Sequence, residues 1–175
     1  MNDKLKLIIS GGVVLLIGFL IYKHCSNPYT ISDMYEKMEW GMSVDEVKEK
    51  SVDLGEIWEE EPKVIGEKTF YMAKGKNFDG DKDINYAIMY IFKEDKLGSV
   101  YLKFENSDCD IDLDKFYKKL SKGFDSKYES FAALDNQTTE CEIWESEKST
   151  INLLKSSSGT GVILVYEDIE WFNGN

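Results

Sequence analysis

NYAIMYIF, residues 85–92, is the stretch whose reading decides the fold. Successive side chains of a strand point to opposite faces. Tyr86, Ile88, Tyr90 and Phe92 make one apolar row and Ala87, Met89 and Ile91 make the other, the pattern of a strand inside a sheet rather than at its edge. Working outward, residues 94–98 (EDKLG) read as a hairpin turn. Residues 99–104 then alternate, with Val100, Leu102 and Phe104 directed inward and Tyr101 and Lys103 outward. On the other side, residues 64–72 form a strand interrupted by Gly66 and ending in Phe70-Tyr71-Met72.

Helical patterns precede these strands. Thr30 with Asp33 resembles a capping box, and Ile31, Met34, Tyr35 and Met38 recur at helical spacing until Trp40-Gly41. Ser43 with Glu46 is a second capping box; it opens a helix to about Lys50 with Val44 and Val47 inward, closed by Leu54-Gly55. The plan then repeats. Leu113, Phe116, Tyr117, Leu120 and Phe124 share one helical stripe opposite Lys115, Lys118, Lys119 and Lys122. Strands are expected at about 130–135, 140–146, 149–155 and 161–167, with residues 156–161 (SSSGTG) as a loop. The expected fold class is α+β: an antiparallel sheet, continuous or paired, with helices on one face and two pseudo-repeats at about 30–106 and 107–175.

Gly41, Met42, Ser43, Glu46, Val47, Leu54 and Gly55, followed by extended strands, resemble the SmpA/OmlA-type small lipoproteins of outer-membrane assembly and the tandem modules of the β-lactamase inhibitor protein. The resemblance covers roughly residues 30–105. It implies a small α+β module and a binding role, and departs from the lipoproteins in lacking a lipobox and in its length beyond residue 105.

Residues 7–22 (LIISGGVVLLIGFLIY) form a run without charge between Lys6 and Lys23. As a helix the run would be roughly 24 Å long, against a hydrocarbon core of about 30 Å. Lysine stems and local thinning can cover the difference. A cleaved signal peptide, a lipoprotein signal at Cys25 and a buried core helix are the alternatives; large or charged residues stand where the first two need small ones. The reading is a single-pass signal anchor at the cell membrane: a cytoplasmic flank over 1–6, the transmembrane helix over 7–22, a linker over 23–29 and an extracytoplasmic domain over 30–175. Lys4 and Lys6 set that orientation.

Composition excludes several classes of chemistry. The net charge is −12, and residues 29–175 carry −14 because Lys4, Lys6 and Lys23 outweigh Asp3 before them. There is no arginine and His24 is the only histidine. An acidic domain without guanidinium forks repels phosphate backbones, so no nucleic-acid partner is expected. Without a histidine in the domain, a Ser-His-Asp triad, a Cys-His pair and a histidine zinc site are excluded there. Asp79-Gly80-Asp81-Lys82-Asp83 and the alternating aspartates at 108, 110, 112 and 114 begin like calcium loops but lack the later glycine and glutamate; the second string also suits a helix start. No metal and no cofactor are assigned. Cys109 and Cys141 are a possible disulfide, with a free buried Cys141 as the alternative.

Function is therefore expected at a surface. Tyr101, beside Lys103, and Trp144, between Glu142 and Ser146, are the candidate partner-binding residues, large aromatics on a polar strand face. The expectation is a membrane-tethered, extracytoplasmic, non-enzymatic domain that binds another protein or an envelope component through its sheet. A ligand-sensing regulatory ectodomain and an envelope enzyme using carboxylate or lysine chemistry are the alternatives.

Overall fold

The structure, a computed structural model, describes residues 32, 34–59, 61–78, 84–105, 111–135, 139–156 and 159–173. They belong to one compact unit. Its centre is a nine-stranded, wholly antiparallel sheet. In chain order the strands are β1 (Ile57–Trp58), β2 (Lys63–Ile65), β3 (Lys68–Gly75), β4 (Tyr86–Lys93), β5 (Lys96–Glu105), β6 (Ser130–Asp135), β7 (Thr139–Glu145), β8 (Ser149–Ser156) and β9 (Gly161–Asp168). Across the sheet they run β1-β3-β4-β5-β9-β8-β7-β6, with β2 also on the outer edge of β3. Two meanders thus meet where β9 pairs with β5, Leu102 lying opposite Leu164.

β4 is interior, as its two apolar rows require. Its turn into β5 places Glu94 and Asp95 at φ 52° and 59°, the left-handed pair that matches strand twist in a two-residue hairpin. A bulge follows at Gly98, so that Ser99 rather than Gly98 faces Ile91.

Helix α1 (Val44–Asp53) forms on the Ser43–Glu46 capping box: Ser43 Oγ accepts from Glu46 N, and Glu46 Oε2 accepts from Ser43 N at 2.8 Å. The β4–β5 turn adds a third cap, Asp95 Oδ1 accepting from Val44 N at 3.1 Å. Helix α2 (Leu113–Asp125) starts at Asp112, whose carboxylate accepts from Lys115 N. Both lie on one face of the sheet, which holds the core. Val47, Tyr90, Val100, Leu102, Phe104, Phe124, Trp144, Ile151, Leu153, Val162 and Leu164 are all fully buried there. Helix α3 (Ile169–Asn173) follows β9.

Several expectations are corrected. The α+β proportions give way to a molecule that is mostly sheet, with described helices of only 10, 13 and 5 residues. The helix expected from residue 30 to 38 is instead a run of turns where it is described, because Glu36 and Lys37 take φ of 40° and 65° and cannot continue a right-handed helix. Tyr35 and Met38 are buried all the same. The strand expected over 64–72 is two strands, Gly66 supplying φ 61° at a hairpin turn.

The single-pass signal anchor, and the cell-membrane location with an outer domain that followed from it, are corrected as well. Among the described residues no helix is long and apolar enough to cross a membrane. The longest, α2, has 13 residues and a lysine-rich face, against the roughly 20 apolar residues a span needs. Residues 7–22, Cys25, Cys109, the 79–83 string and residues 108 and 110 lie outside the described residues.

Candidate functional site

The strand registers sort side chains onto two faces. The face away from α1 and α2 carries rows that cross all the long strands. The middle row is Met72, Met89, Tyr101, Val165, Asn152, Ile143 and Ala132, from β3 to β6. Beside it run Phe70, Ile91, Ser99, Glu167, Thr150 and Glu145 on one flank, and Lys74, Ala87, Lys103, Ile163, Leu154 and Cys141 on the other. Most of the apolar members are half-buried by their neighbours alone. Among the described residues only α3 reaches this face, at one end, where Trp171 packs on Gly98 and Lys68 Nζ lies 4.6 Å from its ring centroid.

Tyr101 stands in the centre of the open face. Its hydroxyl donates to Glu167 Oε1 at 3.3 Å across the β5–β9 join. Burial and the adjacent Glu167 push the phenol above its ordinary range, and burial likewise raises the Glu167 carboxyl. Trp144 lies on the other face. Trp144 is 0% exposed, its ring 5.0 Å from that of Phe124, and its Nε1 donates to Asp125 Oδ1 at 2.9 Å under α2. Its assignment as a partner-binding residue is corrected, because the Glu142–Trp144–Ser146 side of β7 is the one α2 covers. The polar neighbours misled: Glu142 accepts from Ser121 of α2. Cys141 has a free thiol on the open face, raised in pKa by burial and by Glu142.

The core face holds a polar cluster with no motif to announce it. Glu56, 7% exposed, accepts from Tyr35 at 2.6 Å and Tyr86 at 3.2 Å through Oε1, and from Tyr90 at 2.6 Å through Oε2. Burial raises its carboxyl, and the three phenols pull part of that shift back. Both oxygens are occupied and Trp58 stacks on Tyr90 at 5.0 Å, so the cluster ties residues 35 and 56 to β4 and offers no open oxygen to a substrate. A cavity of about 310 Å³ beside Tyr86 is lined by Lys74, Lys76 and Asn85 without a carboxylate. A groove of about 620 Å³ at the β6 edge gathers Lys127, Glu129, Phe131, Glu145 and Lys148. Among the described residues no group of three His, Cys, Asp or Glu side chains is placed to hold a metal ion.

No family model, curated protein or solved structure matches the chain.

Proposed function

We propose that this domain is a non-catalytic binding module that recognises another protein through the open face of its sheet, around Tyr101. One observation carries the reading: the middle row, apolar apart from Tyr101 and Asn152, crosses seven strands with no described helix on it, whereas a sheet face of that composition is ordinarily covered by a second layer. A row of half-buried apolar side chains with no described layer over it is a candidate interaction surface. Tyr101 adds a large rigid ring with a polar tip, the side-chain type that anchors interfaces.

The test places a photo-crosslinking amino acid at Tyr101 of the full chain in its native cells, and in a second strain at Lys118, exposed on α2 across the molecule. A discrete protein adduct from position 101 and none from 118 is expected. The reading fails if position 101 gives no adduct, or if both positions give the same ones.

A further inference from the structure

We infer that the partner seats an amphipathic helix across the strands, with carboxylates flanking its apolar stripe. This rests on the open face being the binding surface and goes further by fixing the chemistry of what lies on it. Although residues 29–175 carry −14, the open face of β3, β4 and β5 is lysine-rich. Lys68, Lys93 and Lys96 are direct cross-strand neighbours in one row. Lys74 and Lys103, either side of Ala87, form a second. Between the two rows lie Phe70, Ile91 and Ser99, then Met72, Met89 and Tyr101. Like charges set directly opposite one another on a sheet are destabilising unless something neutralises them. Lys93 has Glu67 at 3.1 Å and Lys103 has Glu105 at 2.8 Å, while Lys74 and Lys96 make no ion pair among the described residues.

Dimensions select a helix. Positions 68 and 74 are separated by roughly 20 Å along β3 at 3.3 Å per residue. A helix with side chains is about 10–12 Å across. The Trp171 ring already lies 4.6 Å from Lys68 Nζ, and Ile91 and Ser99 are buried on that side, so the helix lies over the Met72–Met89–Tyr101 row, where lysine stems can reach its flanks. The stripe from β3 to β6 is roughly 29 Å long at 4.8 Å per strand, the length of about 19 helical residues. Carboxylates belong over β3–β5; the other half of the face presents Glu167 and Glu145 and no lysine within its described rows. A second copy of the sheet laid face to face would offer the five lysines only Glu167, Glu145 and the Lys103-bound Glu105.

The probe is a fluorescein-labelled, 19-residue amidated helix with a leucine stripe and glutamates on both flanks, compared with an isomer carrying lysine at each glutamate position. Anisotropy titrations against the full chain are expected to show at least tenfold tighter binding of the glutamate peptide, weakening as salt screens the charges. Lys74→Glu with Lys103→Glu should erase that preference, and Met89→Glu should abolish binding at an unchanged urea midpoint; Tyr101→Ala, which adds no charge, should weaken it as well. Equal affinities for the two peptides, or no binding of the glutamate peptide, overturn the helix. If the Tyr101 cross-link persists in that case, the binding face stands and only its occupant is wrong. Self-association of the chain that Met89→Glu removes would also overturn it, in favour of a second copy.

Discussion

Tyr90 donates its hydroxyl to Glu56 Oε2 at 2.6 Å, joining the centre of β4 to a buried carboxylate just before β1. Burial lifts that carboxyl above its ordinary range despite three phenol donors. A carboxyl with a raised folded-state pKa adds stability that is fully present below its unfolded value of about 4.3, and loses it as pH rises through the folded value. Glu56→Gln does not titrate. The unfolding free energy of the wild type minus that of Glu56→Gln should therefore shrink from pH 4 to pH 7 in urea titrations; a difference that grows would refute the assignment. Tyr90→Phe strips a donor from the charged form, so its cost should be about 1.5–3 kcal/mol at pH 7 and smaller at pH 4.

Trp144 and Tyr101 look alike in sequence, as aromatics on strands rich in charge, yet they face opposite sides of the sheet. Trp144→Ala removes a fully buried ring and leaves Asp125 without its indole donor. It should cost about 3–5 kcal/mol. Tyr101→Ala, at a half-buried position, should cost about 1 kcal/mol or less. Urea midpoints of the two variants decide this, and comparable losses would mean that the faces have been assigned wrongly.

The legible parts of the chain were those where one period dominated. β4, α1 and α2 follow from their apolar rows and caps, because those signals are local. Face assignment was harder on β7. There Cys141 and Ile143 look like the inward residues, and only the position of α2, which closes over Trp144 through Ser121 and Asp125, reverses them. β1 is two residues long and exists through its pairing with Lys74 and Ala73, a long-range fact that no local pattern carries. The Glu56 cluster was equally silent, since Tyr35, Tyr86 and Tyr90 lie 21, 30 and 34 positions from the glutamate they serve. The lysine rows were silent too: β4 gives them only Lys93, and Lys96 and Lys103, seven positions apart, share a face only because of the bulge at Gly98.

Trp40 to Glu46 acts as a clasp. Trp40 Nε1 donates to Ser149 Oγ at 3.0 Å in the second meander, and Gly41 N and Met42 O pair with Leu97 in the first. Ser43 then starts α1 with both halves of its capping box made. Ser43→Ala should cost about 1 kcal/mol, within the usual 0.5–2 kcal/mol for a lost cap, and Ser43→Asp should retain most of it. Thermal unfolding of the two variants is the check, and an alanine variant as stable as wild type would show that Asp95 alone suffices to cap the helix.

Gly98 and Trp171 fit together by the absence of a side chain. A Cβ built on Gly98 would lie 2.1 Å from the indole, and Gly98 is not among the left-handed glycines, so space rather than backbone freedom demands glycine there. The ring belongs to a helix of only five residues, held at its start by Ile169 N donating to Lys148 O at 3.2 Å. Overpacking at such a contact costs typically about 1–3 kcal/mol. Gly98→Ala should therefore displace α3 and lower stability by that order, whereas in a Trp171→Ala background the same substitution should be nearly neutral. A double-mutant cycle in urea measures the coupling directly, and additive effects would show that alanine is accommodated without moving the indole.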